Sequence, residues 1–256
     1  MTDTARAGAL ILVAVLQIAA GVVGGAGLWG ESVGVVANSY PTLLLPGGTA
    51  FTIWSLIYAG FCALAVRQAL PGQRSRDVHR RTGWWLVAAG LLNASWVLLF
   101  THRLILLSQM VIVVLLACLL GAALRLQPAN GWADRLLLHI PVMVYLGWVA
   151  VATVAGAATT AASLGAAPGV AVAIVVILLT GVLAALAVLR LPAVVGFAAA
   201  VCWALAWIAV NTTTPGVLVA SVLAIAIVAG TVAFTVSATV AVRIERRPDR
   251  SLIAWG

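Results

Sequence analysis

"PGGTAFTIWSLIYAGFCALAVR" (residues 46–67) opens on a proline and two glycines, runs on without a charge, and stops at an arginine. An uncharged apolar stretch of roughly 20 residues is the length that crosses the roughly 30 Å hydrocarbon core of a bilayer as a helix. Within it Phe51, Trp54 and Tyr58 lie on one helix face, at the three, four and seven spacing. Lipid needs no such aromatic stripe, so the question is what the stripe meets.

The rest of the chain has the same character. It is 64% hydrophobic and only 8% charged, with a mean hydropathy of +1.18; a soluble domain keeps roughly a quarter of its residues charged. Apolar runs at 7–27, 49–69, 83–101, 103–125, 134–157, 168–189, 192–211 and 215–242 predict an all-α polytopic membrane protein of about eight transmembrane helices. The lipid bilayer is therefore its first partner. The longest connection, 28–48, is rich in Gly, Ser, Asn and Pro and reads as an ordered cap. Span 1 is expected to be a retained helix rather than a cleaved signal, because its apolar core exceeds the usual 7–15 residues.

The arginines set the sidedness. With both termini cytoplasmic, Arg6, Arg67, Arg74, Arg76, Arg80, Arg81, Arg125, Arg135, Arg190, Arg243, Arg246, Arg247 and Arg250 fall inside and only Arg103 outside. That split follows the positive-inside rule and predicts a multi-pass protein of a bacterial-type cytoplasmic membrane. It also removes the nucleic-acid reading that a net charge of +8 invites, since the positive charge sits between apolar spans.

Several chemistries are unsupported. Asp3, Glu31, Asp77, Asp134, Glu245 and Asp249 all fall in loops or tails, which disfavours an ion-coupled transporter. There is no lysine to carry a retinal Schiff base. His79 and His139 lie toward one side and His102 toward the other, so no facing pair presents itself for a b-type haem. No Ser–His–Asp set, phosphate loop or zinc spacing stands out, and Cys62, Cys118 and Cys202 read as separate buried thiols. A non-catalytic protein without a metal is expected.

Ten tryptophans remain to be explained. Trp29, Trp84, Trp85, Trp132 and Trp255 sit at span ends, where an aromatic belt is expected. Trp54, Trp96, Trp148, Trp203 and Trp207 sit within spans, in the half nearer the 28–48 loop, and each belongs to a stripe. The stripes are Phe51, Trp54 and Tyr58; Asn93, Trp96 and Phe100; Pro141, Tyr145 and Trp148; and Trp203, Trp207 and Asn211. Two readings are open: ordinary interhelical packing, with Asn93 bonded to a neighbour, or the rim of one cavity for a large, flat, mostly apolar ligand. Gln17 and Gln109 divide in the same way between an interhelical hydrogen bond and the cavity wall. His102 and Arg103 read as a solvated turn or as a contact for an anionic ligand group.

At these residues the chain resembles the tryptophan-rich sensory protein family (TspO, the translocator-protein family). The matching segments are "PGGTAFTIWSLIY" at 46–58, "LLNASWVLLF" at 91–100 and "PVMVYLGWVAVAT" at 141–153, in the family's order and spacing over roughly residues 1–157. The departures are Gly48, where short members carry an additional Trp; Thr52, where they carry Pro; and Pro141, which stands seven residues before Trp148. The resemblance implies a TspO-like five-helix transmembrane bundle over 1–157; a further departure is a three-helix transmembrane extension over 158–242, and the arginines of 243–256 read as a basic cytoplasmic tail. It implies a pocket beneath the loop between helices 1 and 2 that accepts tetrapyrroles, sterols or similar molecules. Trp54 and Trp96 would be aromatic walls, Asn93 a hydrogen-bonding floor and Trp148 a fifth-helix wall. Porphyrin breakdown, proposed for some members, gains no independent support from these residues.

The expected function is an integral membrane binding or regulatory (sensory) protein for a flat hydrophobic ligand such as a porphyrin or other tetrapyrrole, with haem in the same class, aiding its transport. The alternatives are an uncoupled small-solute carrier and a membrane scaffold. Small residues such as Gly21 and Gly25 also permit a homodimer.

Overall fold

The computed structural model describes residues 3–245, with the side chains of 240–245 left aside. Arg246, Arg247, Asp249, Arg250 and Trp255, and most of the basic tail assigned to 243–256, lie outside the described residues. Every described element is helical: α1 Asp3–Ala26, α2 Val33–Asn38, α3 Ile53–Ala69, α4 Pro71–Arg74, α5 Asp77–Thr101, α6 Ile105–Ala123, α7 Gly131–Asp134, α8 Ile140–Ser163, α9 Val170–Val188, α10 Val195–Asn211 and α11 Pro215–Glu245. A 3₁₀ turn, Gly48–Thr52, leads into α3, and a π-helical turn, Arg135–His139, joins α7 to α8.

Each predicted span is a helix. Seven are long and apolar enough to cross a membrane, and the eighth, α10, is an apolar helix of 17 residues. At 1.5 Å per residue, α10 is about 26 Å long, at the short end of a spanning helix. The chain is an integral multi-pass membrane protein.

Five helices close a ring. α1 packs on α3 and α5, α5 on α6, α6 on α8, and α8 returns to α3. Close approach is bought with glycine: a Cβ at Gly90 of α5 would press on Val13 of α1, and one at Gly60 of α3 on Pro141. The remaining three helices attach to the ring through α10. α10 lies on α8 where Gly147 has no side chain to strike the Phe197 carbonyl, α11 lies on α10, and α9 on α11, with Gly181 set against Ala224.

The two ends of the bundle differ. At the arginine end, Arg6 is buried and its Nε donates to Gln68 Oε1 at 3.1 Å, while Gln68 Nε2 meets His79 Nδ1 at 3.2 Å. Asp134 is buried there too. It accepts from Arg67 at 2.5 Å, from both Nη atoms of Arg76 at 2.7 and 2.6 Å, and from the Asn130 backbone N–H at 2.9 Å. At the loop end, residues 27–48 fold over the ring opening, with α2 as their one helical turn and a half. Gly30, at φ +92°, brings the loop backbone so close to Thr101 that a Cβ would come within 2.8 Å of its carbonyl oxygen. The Glu31 N–H donates to that same oxygen at 3.0 Å.

The described tryptophans assigned to the belt lie on the outside of the bundle. Trp29 and Trp132 are exposed, and Trp84 and Trp85 lie at the edge of exposure. Arg125 stacks on Trp85 at 4.6 Å and Arg135 on Trp132 at 5.1 Å.

Candidate functional site

The stripe on α3 meets aromatic rings from α5 and α8. Trp54 is the hub: its ring lies 5.6 Å from Tyr58 and 5.9 Å from Trp96, both stacked, and 6.0 Å from Tyr145 and 6.1 Å from Trp148, both edge-on. Trp96 continues the stack to Phe100 at 5.3 Å, and Phe51 meets Trp148 edge-on at 6.0 Å. Offset stacks and edge-on pairs are the arrangements the aromatic quadrupole favours.

Beneath the rings lies a polar layer drawn from four helices. The Tyr58 hydroxyl donates to Asn93 Oδ1 at 3.3 Å, and the Tyr145 hydroxyl to Gln17 Oε1 at 3.3 Å. Gln17, Asn93 and Tyr145 are buried. The amide nitrogens of Gln17 and Asn93, Trp148 Nε1 and Gln109 Oε1 have no hydrogen-bond partner in the protein. Buried polar groups are ordinarily paired, so this is an unusual concentration of unmet donors and acceptors around one ring cluster.

Two spaces flank that cluster. On the α1 side is a groove of about 660 Å³, running between α1 and α3 under α2. One wall is Phe51, Trp54, Tyr58 and Trp96; the other carries Gly21, Gly25 and Gly34. A Cβ added at Gly25 or Gly34 would meet nothing within 4 Å, so those glycines open directly on the space. On the α8 side is a smaller cavity of about 50 Å³, bounded by Phe51, Trp54, Trp96, Phe100, Gln109 and Trp148 among others. The groove falls in the ~300–1,000 Å³ range of small-molecule sites, whereas the cavity holds little more than a water molecule or two.

The sequence-derived site residues therefore separate. Phe51, Trp54 and Trp96 wall both spaces, Tyr58 the groove, and Phe100 and Trp148 the cavity. Asn93 and Tyr145 line neither; they support the rings from behind. Trp203 and Trp207 stand apart as a pair 5.7 Å from each other, on the far side of the Gly48–Thr52 turn. Trp203 Nε1 donates to the Ala50 carbonyl at 3.0 Å, and Trp207 packs over Gly48, where a Cβ would stand 3.4 Å from its ring. The reason is topological: α10 lies outside the five-helix ring, so its indoles brace the turn. Four convergent helices were expected at this depth; three supply the rings, and α1 supplies the glycine wall.

Gln17 makes an interhelical bond, whereas Gln109 both bonds its neighbour, through Nε2 to the Thr153 carbonyl at 3.1 Å, and lines the cavity. Arg103 holds Glu31 at 2.5 and 2.9 Å, Ser39 at 3.1 Å and the Tyr40 hydroxyl at 3.4 Å. That guanidinium keeps the Glu31 carboxyl below its ordinary range. His102 sits against Trp29 at 6.1 Å. This turn latches the loop down. The α1 glycines were not singled out as site residues, because only the packing of α1 beside α3 turns them into a wall.

A family model described as TSPO-like protein matches residues 5–238. The chain belongs to that family. The match runs beyond residue 157 and takes in α9, α10 and most of α11, so the family's pattern includes the helices outside the ring. No curated protein and no solved structure matches the chain. Membership of the TSPO-like family makes this a membrane protein of the ligand-binding or sensory kind, in a family that is not one of classical enzymes.

Proposed function

We propose that the groove between α1 and α3 binds a flat apolar ligand of the tetrapyrrole class, and that the protein serves as a sensor or carrier for it. The observation that carries this reading is the asymmetry of the groove: a broad aromatic wall faces glycines whose missing side chains leave a slot of about 660 Å³. A planar macrocycle stacks on Trp54 and Trp96 from one side and lies against the backbone at Gly25 and Gly34 on the other, with the Tyr58 ring, seated on Gly21, closing one end.

In this reading the arginine end is cytoplasmic, both termini are cytoplasmic and the 27–48 loop caps the groove from outside, as the positive-inside rule directs. Residues 1–157 carry the ligand site, and 158–242 brace it through Trp203, Trp207 and Asn211. A homodimer using the α1 glycines would compete with the ligand, because Gly25 opens on the groove and Gly21 lies under the Tyr58 ring.

The test is a titration of the protein in nanodiscs with protoporphyrin IX, followed by quenching of tryptophan fluorescence. Gly25→Leu fills the groove without touching an aromatic ring, and Trp54→Ala removes the central stacking surface. Each is expected to weaken binding by about tenfold or more, the equivalent of one to two kcal/mol of lost ring contact. Affinity unchanged in both variants would refute the site.

A further inference from the structure

We propose that Gln109 is the gate of a second, lateral opening into the ligand site, on the opposite flank of the ring from the α1–α3 groove. The proposal rests on the ligand-binding reading above and adds a route through the bundle. Three spaces lie in series in the half of the bundle nearer the loop. The groove shares Phe51, Trp54 and Trp96 with the smaller cavity. The cavity in turn shares Gln109 with a furrow of about 380 Å³ that is bounded by α6, α8 and the first turns of α9. The furrow lies beyond Gln109, between α8 and α9, so the series runs from one side of the ring to the other.

The two partitions differ in kind. The first is a stack of rings held by many contacts. The second is one flexible amide arm, set between Ala155 and Gly156 toward the cavity and Ala157 and Ala158 toward the furrow, with Leu45 of the loop lining the cavity and Leu44 the furrow. A single bond, from Gln109 Nε2 to the Thr153 carbonyl at 3.1 Å, holds the arm closed. Its Oε1 is buried without a partner, pressed where a Cβ at position 156 would overlap it. Glycine at 156 therefore makes the closed position available, and the unmet oxygen leaves it poorly satisfied. An arriving N–H or O–H, such as a small polar molecule carries, gives that oxygen the partner it lacks. Rotation of Gln109 about its side-chain bonds joins cavity and furrow without moving a helix.

The probe is a small apolar thiol reagent rather than a porphyrin. In a protein with Cys62, Cys118 and Cys202 changed to serine, Ala155→Cys places a thiol in the cavity wall. Its modification by N-ethylmaleimide in nanodiscs is followed by intact-mass spectrometry. Gln109→Ala is expected to speed modification by about tenfold, Gln109→Ser similarly, and Gln109→Met, which keeps the bulk, by no more than about twofold. The acceleration should survive Gly25→Leu, which blocks the groove. An unchanged rate in folded Gln109→Ala and Gln109→Ser, judged by gel filtration and circular dichroism, would overturn the gate, as would acceleration abolished by Gly25→Leu. Acceleration in a chain that fails to bind protoporphyrin would keep the passage and discard the ligand assignment.

Discussion

The two ends of the bundle are both tied by arginine to carboxylate, and the ties are built for different purposes. At the arginine end, Asp134 is buried and engages two guanidinium groups and a backbone N–H at 2.5–2.9 Å, joining the ends of α3 and α7 to the start of α5. At the loop end, Glu31 meets one guanidinium, and both partners are about two-fifths exposed. A buried, multiply bonded charge is costly to uncouple, whereas an exposed pair contributes little and is screened by salt. The first end is a lock that fixes helix positions. The second is a latch over the space where ligand is proposed to sit.

The sharpest way to break this comparison is Asp134→Asn. It leaves Arg67 and Arg76 facing each other without their counter-charge in a buried site. The expected loss is about 3–5 kcal/mol of resistance to unfolding, as when one partner of a buried pair is removed. Denaturant titration in mild detergent reads it. A loss under about 1 kcal/mol would place the arginine end in the same class as the loop end.

A middle-sized effect is expected at Gly30. Alanine there must adopt φ near +92° and set its Cβ within 2.8 Å of the Thr101 carbonyl oxygen. The strain is of order 1–3 kcal/mol, and the loop can relieve it by lifting. Gly30→Ala should therefore lower the unfolding midpoint modestly while raising proteolytic cleavage within residues 27–48. Cleavage unchanged alongside a lowered midpoint would show that the loop does not move independently of the ring.

What the sequence disclosed follows the same division between periodicity and partnership. Helix positions and faces are written in the spacing of apolar and aromatic residues, so all eight spans and the Phe51–Trp54–Tyr58 face were legible. The neighbour of a face is a property of tertiary packing, and there the reading failed selectively. Trp203 and Trp207 have the spacing of Trp54 and Tyr58, yet they brace the Ala50 carbonyl and Gly48 from outside the ring. Where short family members place an additional indole in the chain before α3, this chain has Gly48 at φ +57°, a conformation an indole-bearing residue disfavours. The ring of Trp207 covers that spot from α10. The glycine wall was invisible for the opposite reason: Gly25 and Gly34 matter through side chains they do not have, and a missing atom carries no pattern until the facing helix is placed.

The smallest effect is expected at the latch, and it separates a lid from a strut. Glu31→Gln removes the charge that Arg103 holds but keeps the shape. Because both side chains are exposed, the unfolding midpoint should hardly move. The rate of ligand exchange should rise by a few-fold, as a lid freed of its fastening opens more often. The pH dependence fixes the sign. Arg103 lowers the Glu31 carboxyl below its ordinary value of 4.5, so the folded, latched form binds fewer protons than the open one. Latching is then complete above about pH 4.5 and is lost as pH falls through the lowered value. Porphyrin dissociation followed by recovery of tryptophan fluorescence should quicken in acid for the parent chain. In Glu31→Gln it should be quick at pH 7 and gain nothing further from acid through this group. Equal rates in the two proteins at pH 7 would mean that the Thr101 backbone contact, rather than the ion pair, holds the loop down, and the loop end would then be a second lock.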